Sequence, residues 1–85
     1  MEEEIGKITH FFSKIGVAVL ELTKGKLQIG DTIHIKGHTT DYYQKVQSLQ
    51  VEHANIESAE EGMQVGIKLE GSARENDLVF KVEEA

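Results

Sequence analysis

Polar and apolar residues alternate with a period of two along most of this 85-residue chain. In residues 32–36 the isoleucines Ile33 and Ile35 alternate with polar neighbours, and residues 65–70 and 78–83 repeat the pattern. Such alternation places the apolar side chains on one face of a β-strand. Because no window of twelve residues has the 3.6-residue period of an amphipathic helix, we predict an all-β fold.

Turn signals separate these short strands. Residues 23–26, with sequence Thr-Lys-Gly-Lys, predict a hairpin turn in which Gly25 adopts a positive φ. Frequent turns between short strands are typical of small barrels, and closing the sheet leaves no unpaired edge strand. We therefore predict one domain over residues 1–85, a small closed antiparallel β-barrel of six or seven strands. Acidic tails are expected at residues 1–4 and 83–85.

The segment Gln44–His53 departs from the alternation, because its apolar residues Val46 and Leu49 are three positions apart. A β-bulge near Gln47–Ser48 would bring both side chains to the core face. Bulges also bend strands at the corners of barrels. We therefore interpret this segment as one bulged strand.

The charge distribution limits the possible partners. The net charge is −6 and the isoelectric point is near 5.1, which argues against nonspecific coating of nucleic acid. Residues 5–56, however, hold six lysines and only four acidic residues. A mildly basic patch on an acidic protein is therefore compatible with the sequence.

Three features predict a cytoplasmic protein without membrane contact. The chain has no cysteine, and therefore no disulfide, thiolate zinc site or cysteine nucleophile. Its longest strongly apolar stretch, Ile15–Leu20, is too short to cross a bilayer. The acidic start Met1–Glu4 differs from the basic start of a secretory signal.

Candidate catalytic and metal-binding groups are poorly arranged. His34 and His38 are four residues apart, but on a strand and its following turn rather than on a helix, so we predict no metal site. The serines lack a nucleophile-elbow context, and the acids of residues 57–61 form a solvated loop. No phosphate-binding loop is present. We predict no catalytic residue, no enzyme activity, no nucleotide and no cofactor.

Two aromatic doublets, Phe11-Phe12 and Tyr42-Tyr43, would each place one ring on either face of a strand. An outer ring near Lys14, Lys36 or Lys45 would offer a stacking platform for a base or a partner side chain. Alternatively, the outer ring covers the core beneath a neighbouring loop. The sequence leaves both interpretations open.

The order of these segments resembles a known family. The residues that carry the resemblance are Gly16–Leu22, Lys24-Gly25, Leu27–Asp31, Thr32–Ile35, Val46 and Leu49, Ala59–Gly62 and Val65–Leu69. Together they resemble the second, β-barrel domain of translational GTPases such as elongation factor Tu. Residues 7–12 and 37–41 are also similar to small stand-alone elongation-factor-like proteins. Related barrels occur as C-terminal appendages of collagenase-type peptidases.

The resemblance implies a role in translation, because in elongation factor Tu this barrel helps to hold the aminoacylated end of tRNA and contacts the ribosome. Lys24 matches the family's usual basic residue before the turn glycine, whereas Glu21 stands where the family often has arginine. Gln50 and Gln64 stand where it often has glutamate and asparagine, and they keep hydrogen-bonding capacity. The candidate RNA- or partner-binding residues are Lys24, Lys26, Lys36, Tyr42, Gln50, Gln64 and Lys68.

Two functions follow from these observations. In the first, the chain is a non-catalytic binding module that contacts tRNA, the ribosome or a translation factor. In the second, it is an acidic protein-interaction adaptor with no RNA role, accessory to a separately encoded enzyme. The net charge, Glu21 and the aromatic doublets motivate the second function.

Overall fold

A computed structural model describes residues 1–83 and shows an all-β fold over this range. All strand pairs are antiparallel, as predicted. The strands are β1 (Glu2–Phe12), β2 (Val17–Leu22), β3 (Lys26–Gln28), β4 (Thr32–Lys36), β5 (Asp41–Lys45), β6 (Leu49–Val51), β7 (Ala54–Ile56), β8 (Ser58–Glu60), β9 (Gln64–Lys68) and β10 (Leu78–Val82).

Eight strands form one curled sheet in the order β5-β4-β10-β1-β2-β9-β6-β7, and β3 pairs with β8 in a small second sheet. The predicted closed barrel of six or seven strands is wrong. The large sheet is not closed, because β5 and β7 are its unpaired edges, and residues 1–83 form ten strands rather than six or seven. The residue that follows each of these edge strands bonds instead to the turn after β3. Val46 N donates to Asp31 O at 2.8 Å, and Ile29 N donates to Glu57 O at 3.0 Å.

The core lies on the concave side of the large sheet. Its largest fully buried side chains are Ile5, Ile8, Leu20, Leu22, Leu27, Ile33, Ile35, Leu49 and Ile67. In β2 the buried side chains are Ala18, Leu20 and Leu22, whereas Val17 and Val19 point outward and are only half-buried. β2 therefore has two apolar faces, and the face that carries Val17 and Val19 is turned towards solvent.

The predicted acidic tail at residues 1–4 is wrong for Glu2–Glu4, which form the start of β1 and pair with residues 80–82 of β10. The charged side chains do not prevent this pairing, because the backbone ladder needs only N–H and C=O groups and all three residues remain exposed. At the end of β10, the amino group of Met1 donates to Glu83 O at 2.9 Å. The rest of the predicted tail at residues 83–85 lies outside the described residues.

Two local predictions also change. The segment Gln44–His53 is not one bulged strand: β5 and β6 are separated by residues 46–48. Val46 and Leu49 are both buried, as the pattern predicts, but a break in the strand brings them there. Gly25 has the predicted positive φ of 74°, yet its turn does not join a hairpin, because β3 pairs with β8 rather than with β2.

The buried side-chain amide of Gln44 bridges the junction between the edge strand β5 and the end of β9, which we call the Gln44 seam. Gln44 is 5% exposed; its Nε2 donates to Lys68 O at 3.0 Å and to Lys45 O at 3.2 Å. Its Oε1 accepts from the N–H of Glu70 at 2.7 Å. One side chain thus connects β5 to the end of β9 where the backbone ladder is missing.

Candidate functional site

The outward side of the sheet around Gly66 carries an apolar groove, which we call the Gly66 face. Its members are Phe12, Ile15, Val17, Val19, Gln50 and Gly66. In the register of the sheet, Gly66 of β9 lies between Val19 of β2 and Gln50 of β6, and Phe12 of β1 pairs with Val17. Antiparallel pairing thus gathers residues that are distant in sequence into one surface.

The groove has a volume of about 450 Å³ and a largely apolar floor. Phe12 is 46% exposed and Ile15 is 58% exposed, which is unusual for large apolar side chains. Gly66 leaves a notch between its neighbours: a Cβ there would lie 3.5 Å from Val17 Cγ1 and 3.8 Å from Gln50 O. The notch would therefore hold a methyl group at ordinary van der Waals distance on the floor of the groove.

Two polar elements border the groove. Lys68 Nζ donates to Ile15 O at 2.6 Å and fastens the β1–β2 hairpin tip, residues 13–16, against β9. On the other side, the two-residue turn between β6 and β7 consists of Glu52 and His53, with φ values of 49° and 68°. Two consecutive positive φ values are the signature of a type I′ turn, which asparagine and glycine form with much less strain.

The seven residues predicted to bind RNA or a partner fall into three places. Gln50, Gln64 and Lys68 share the outward side of β6 and β9. Lys24 and Lys26 lie at the β2–β3 connection, with Lys24 Nζ 3.9 Å from a Glu3 carboxylate oxygen. The remaining two, Lys36 and Tyr42, belong to the β4–β5 hairpin.

Both aromatic doublets alternate between the faces of their strands, as predicted. Phe11 and Tyr42 pack against the core, whereas Phe12 and Tyr43 are exposed. Burial raises the pKa of the Tyr42 hydroxyl. This candidate binding residue therefore packs against the core rather than presenting its ring to a partner. Tyr43 does not stack on a lysine neighbour: its ring stacks on His34 with centroids 4.1 Å apart.

His34 forms a charged cluster with two carboxylates. Its Nδ1 lies 2.6 Å from Glu2 Oε1, its Nε2 lies 2.5 Å from Asp41 Oδ1, and Tyr43 donates its hydroxyl to Glu2 Oε2. Both ring nitrogens must carry protons to satisfy both carboxylates. Burial lowers the pKa of His34, but the hydrogen bonds to Asp41 and Glu2 outweigh it and raise the pKa above 6.5. Hydrogen bonds from Tyr43 and His34 lower the pKa of Glu2.

Sequence reasoning missed most of the Gly66 face. It identified Phe12 and Gln50, which line the groove, and Lys68, which borders it. It did not predict that Val17 and Val19 face outward, or that Glu52 and His53 border a groove. The one available signal was Gly66 in the middle of a strand, because glycine there often marks a close approach or a missing side chain. The strain at Glu52 and His53 leaves no mark in the sequence pattern.

Within residues 1–83, no group of three or more histidine and acidic side chains has an arrangement that could hold a metal ion. The same range contains no helix that could cross a membrane.

Residues 16–79 match the family model for elongation factor Tu domain 2. The chain belongs to this family.

The chain is also similar to segments of peptidases. It is 43% identical over 82 residues, 95% of its length, to an uncharacterized protease of Methanocaldococcus jannaschii, and 36% identical over 78 residues, 91% of its length, to a collagenase of Porphyromonas gingivalis. It spans only 20% and 22% of those relatives. The C-terminal domain of a putative U32 peptidase of Geobacillus thermoleovorans has the same fold, with a TM-score of 0.88 at 15% identity, over 95% of this chain and 93% of that one.

Proposed function

We propose that this domain is a non-catalytic protein-binding module that docks through the Gly66 face onto a catalytic domain of the U32 peptidase type. The observation that carries the proposal is the apolar groove, in which Phe12 and Ile15 are about half exposed. Exposed apolar surface of this kind marks a protein contact, and large aromatic side chains supply much of the binding energy of such contacts.

The comparisons support the kind of partner. The relatives carry the matching segment within longer proteins that are named as a protease and as collagenase. A domain that makes up about a fifth of such a protein has the remaining chain as its natural neighbour. The adaptor function considered from the sequence concerned a separately encoded enzyme; the proposal keeps the adaptor role and extends it to a catalytic domain carried in the same protein.

Electrostatics gives the RNA-contacting alternative less support. On the side that carries Gln50 and Gln64, the ammonium of Lys68 is already bonded to Ile15 O. Gln64 Nε2 faces the carboxylate of Glu21 at 3.4 Å, which would repel a phosphate. The lysines of the β2–β3 connection, Lys24 and Lys26, are the better candidates for RNA contact, and that role remains a prediction.

A graft tests the docking proposal. The matching segment of the M. jannaschii protease is replaced by this chain, and amide hydrogen exchange at the hairpin tip, residues 13–16, is compared with that of the isolated chain. Docking should slow exchange at the tip in the graft. Filling the notch with Gly66→Val should abolish the difference, whereas Lys45→Val, on exposed β5, should not. Equal exchange in the graft and the isolated chain would refute docking through this face.

A further inference from the structure

The turn that borders the groove has an energetically unfavourable conformation for its residues. Glu52 and His53 both have positive φ, although neither is glycine. The flanking pair Val51 and Ala54 fixes the loop at two residues, a length that favours an Asn-Gly sequence. Left-handed backbone is sterically unfavourable for residues other than glycine, and such strain concentrates at functional sites.

The side chains at this turn are placed where a docked partner would meet them. Both are exposed and line the rim of the Gly66 groove. Glu52 is the one carboxylate among the described residues that line the groove. Among residues 1–83, none of the salt bridges includes Glu52, so its carboxylate has no cationic partner in this part of the chain.

We infer that the Glu52–His53 turn is a specificity element that reads a basic residue of the partner. The inference rests on the proposed docking function and names its chemistry. The partner segment inserts an apolar side chain into the notch over Gly66, and a lysine or arginine beside that anchor reaches the carboxylate of Glu52. Complementary rim charges mainly set association rate, salt dependence and specificity, while the apolar anchor supplies the affinity.

Two variants separate charge from strain. Glu52→Gln removes the charge and keeps the turn residues similar in size. The double variant Glu52→Asn with His53→Gly removes the charge and also relieves the strain. Glu57→Gln, at an exposed acid that does not line the groove, is the matched control.

The first measurement is the thermal unfolding of the isolated chain. The double variant should raise the unfolding midpoint by about 4–8 °C, while Glu52→Gln and Glu57→Gln leave it nearly unchanged. An unchanged midpoint in the double variant would show that the turn is not strained and would overturn the inference.

The second measurement is the protection of the hairpin-tip amides, residues 13–16, against hydrogen exchange in the graft at increasing salt concentration. Both variants at Glu52 should reduce protection by about two- to fivefold at low salt, the range of an exposed ion pair, and should remove most of its salt dependence. Protection that is present but insensitive to Glu52 would overturn the specificity role and leave docking intact. The absence of any protection in the unmodified graft would overturn both.

Discussion

Replacing Gln44 by leucine should strongly destabilise the domain, because this side chain bridges the seam between β5 and the end of β9. Leucine keeps a similar volume and the apolar packing but removes three hydrogen bonds. The N–H of Glu70 and the carbonyl of Lys68 then lose the partners they have at 2.7 and 3.0 Å. Gln44 is 5% exposed, so water replaces these partners poorly.

The magnitude follows from the two backbone groups left without a partner. A buried group in that condition costs about 1–3 kcal/mol, and partial access of water from the Glu70 side favours the lower half of this range. We expect a loss of about 2–4 kcal/mol. Since a domain of this length is stable by about 4–13 kcal/mol in total, the midpoint of thermal unfolding should fall by about 10–20 °C.

Urea and thermal unfolding, followed by circular dichroism, provide the assay. Gln28→Leu makes the same chemical change at an exposed position of β3 and serves as the control. Gln44→Glu keeps the oxygen that accepts from Glu70 but turns a carboxylate toward Lys68 O, so its stability should recover partly at low pH, where the acid can donate. A loss below about 0.5 kcal/mol for Gln44→Leu, the range of ordinary surface substitutions, would refute the role of the seam.

Three further predictions concern other parts of the molecule. The raised pKa of His34 means that the stability of its cluster is complete below pH 6.5 and is lost as the pH rises through the folded-state value; urea unfolding from pH 5 to 9 should show this decline, and His34→Asn should flatten it. Gly6→Ala should lower the free energy of unfolding by at least about 3 kcal/mol, because the added Cβ would overlap Glu21 O. Gly66→Ala meets only ordinary contacts and should remain folded when both variants are compared by thermal unfolding. Equal stability of the two variants would contradict the packing argument. If the β2–β3 connection contacts RNA, reversing Lys24 and Lys26 to glutamate should weaken tRNA binding and reduce its salt slope by about two counterions; unchanged binding and slope would exclude that contact.

The identity of the buried residues was more predictable from the sequence than the pairing of the strands. The spacing of Val46 and Leu49 correctly indicated that both side chains reach the interior, because burial of apolar area is the dominant driving force. The same spacing could not distinguish a bulge from a break, since either geometry buries the two residues. Glu2–Glu4 were assigned to a tail because their side chains carry no strand signal, whereas the ladder with β10 depends on backbone groups.

The candidate site was only partly predictable. Phe12 was recognised as an outer ring because alternation in a strand is a local property. Val17 and Val19 were ambiguous, because both faces of β2 are apolar and only packing against β1 and β9 decides which face is covered. Gln50 is predicted from the resemblance and Lys68 from its positive charge, and their closeness to the groove follows from the pairing of β6 with β9.

Local sequence therefore determined the all-β class, the positions of β4, β9 and β10, and the positive φ of Gly25. Each depends on side-chain alternation or on backbone sterics within a few residues. Tertiary structure alone decided the open strand order, the Gln44 seam, the raised pKa of His34 and the strained turn at Glu52 and His53. These features depend on which distant backbone and side-chain groups meet, and that pairing is fixed only when the whole sheet has assembled over its core.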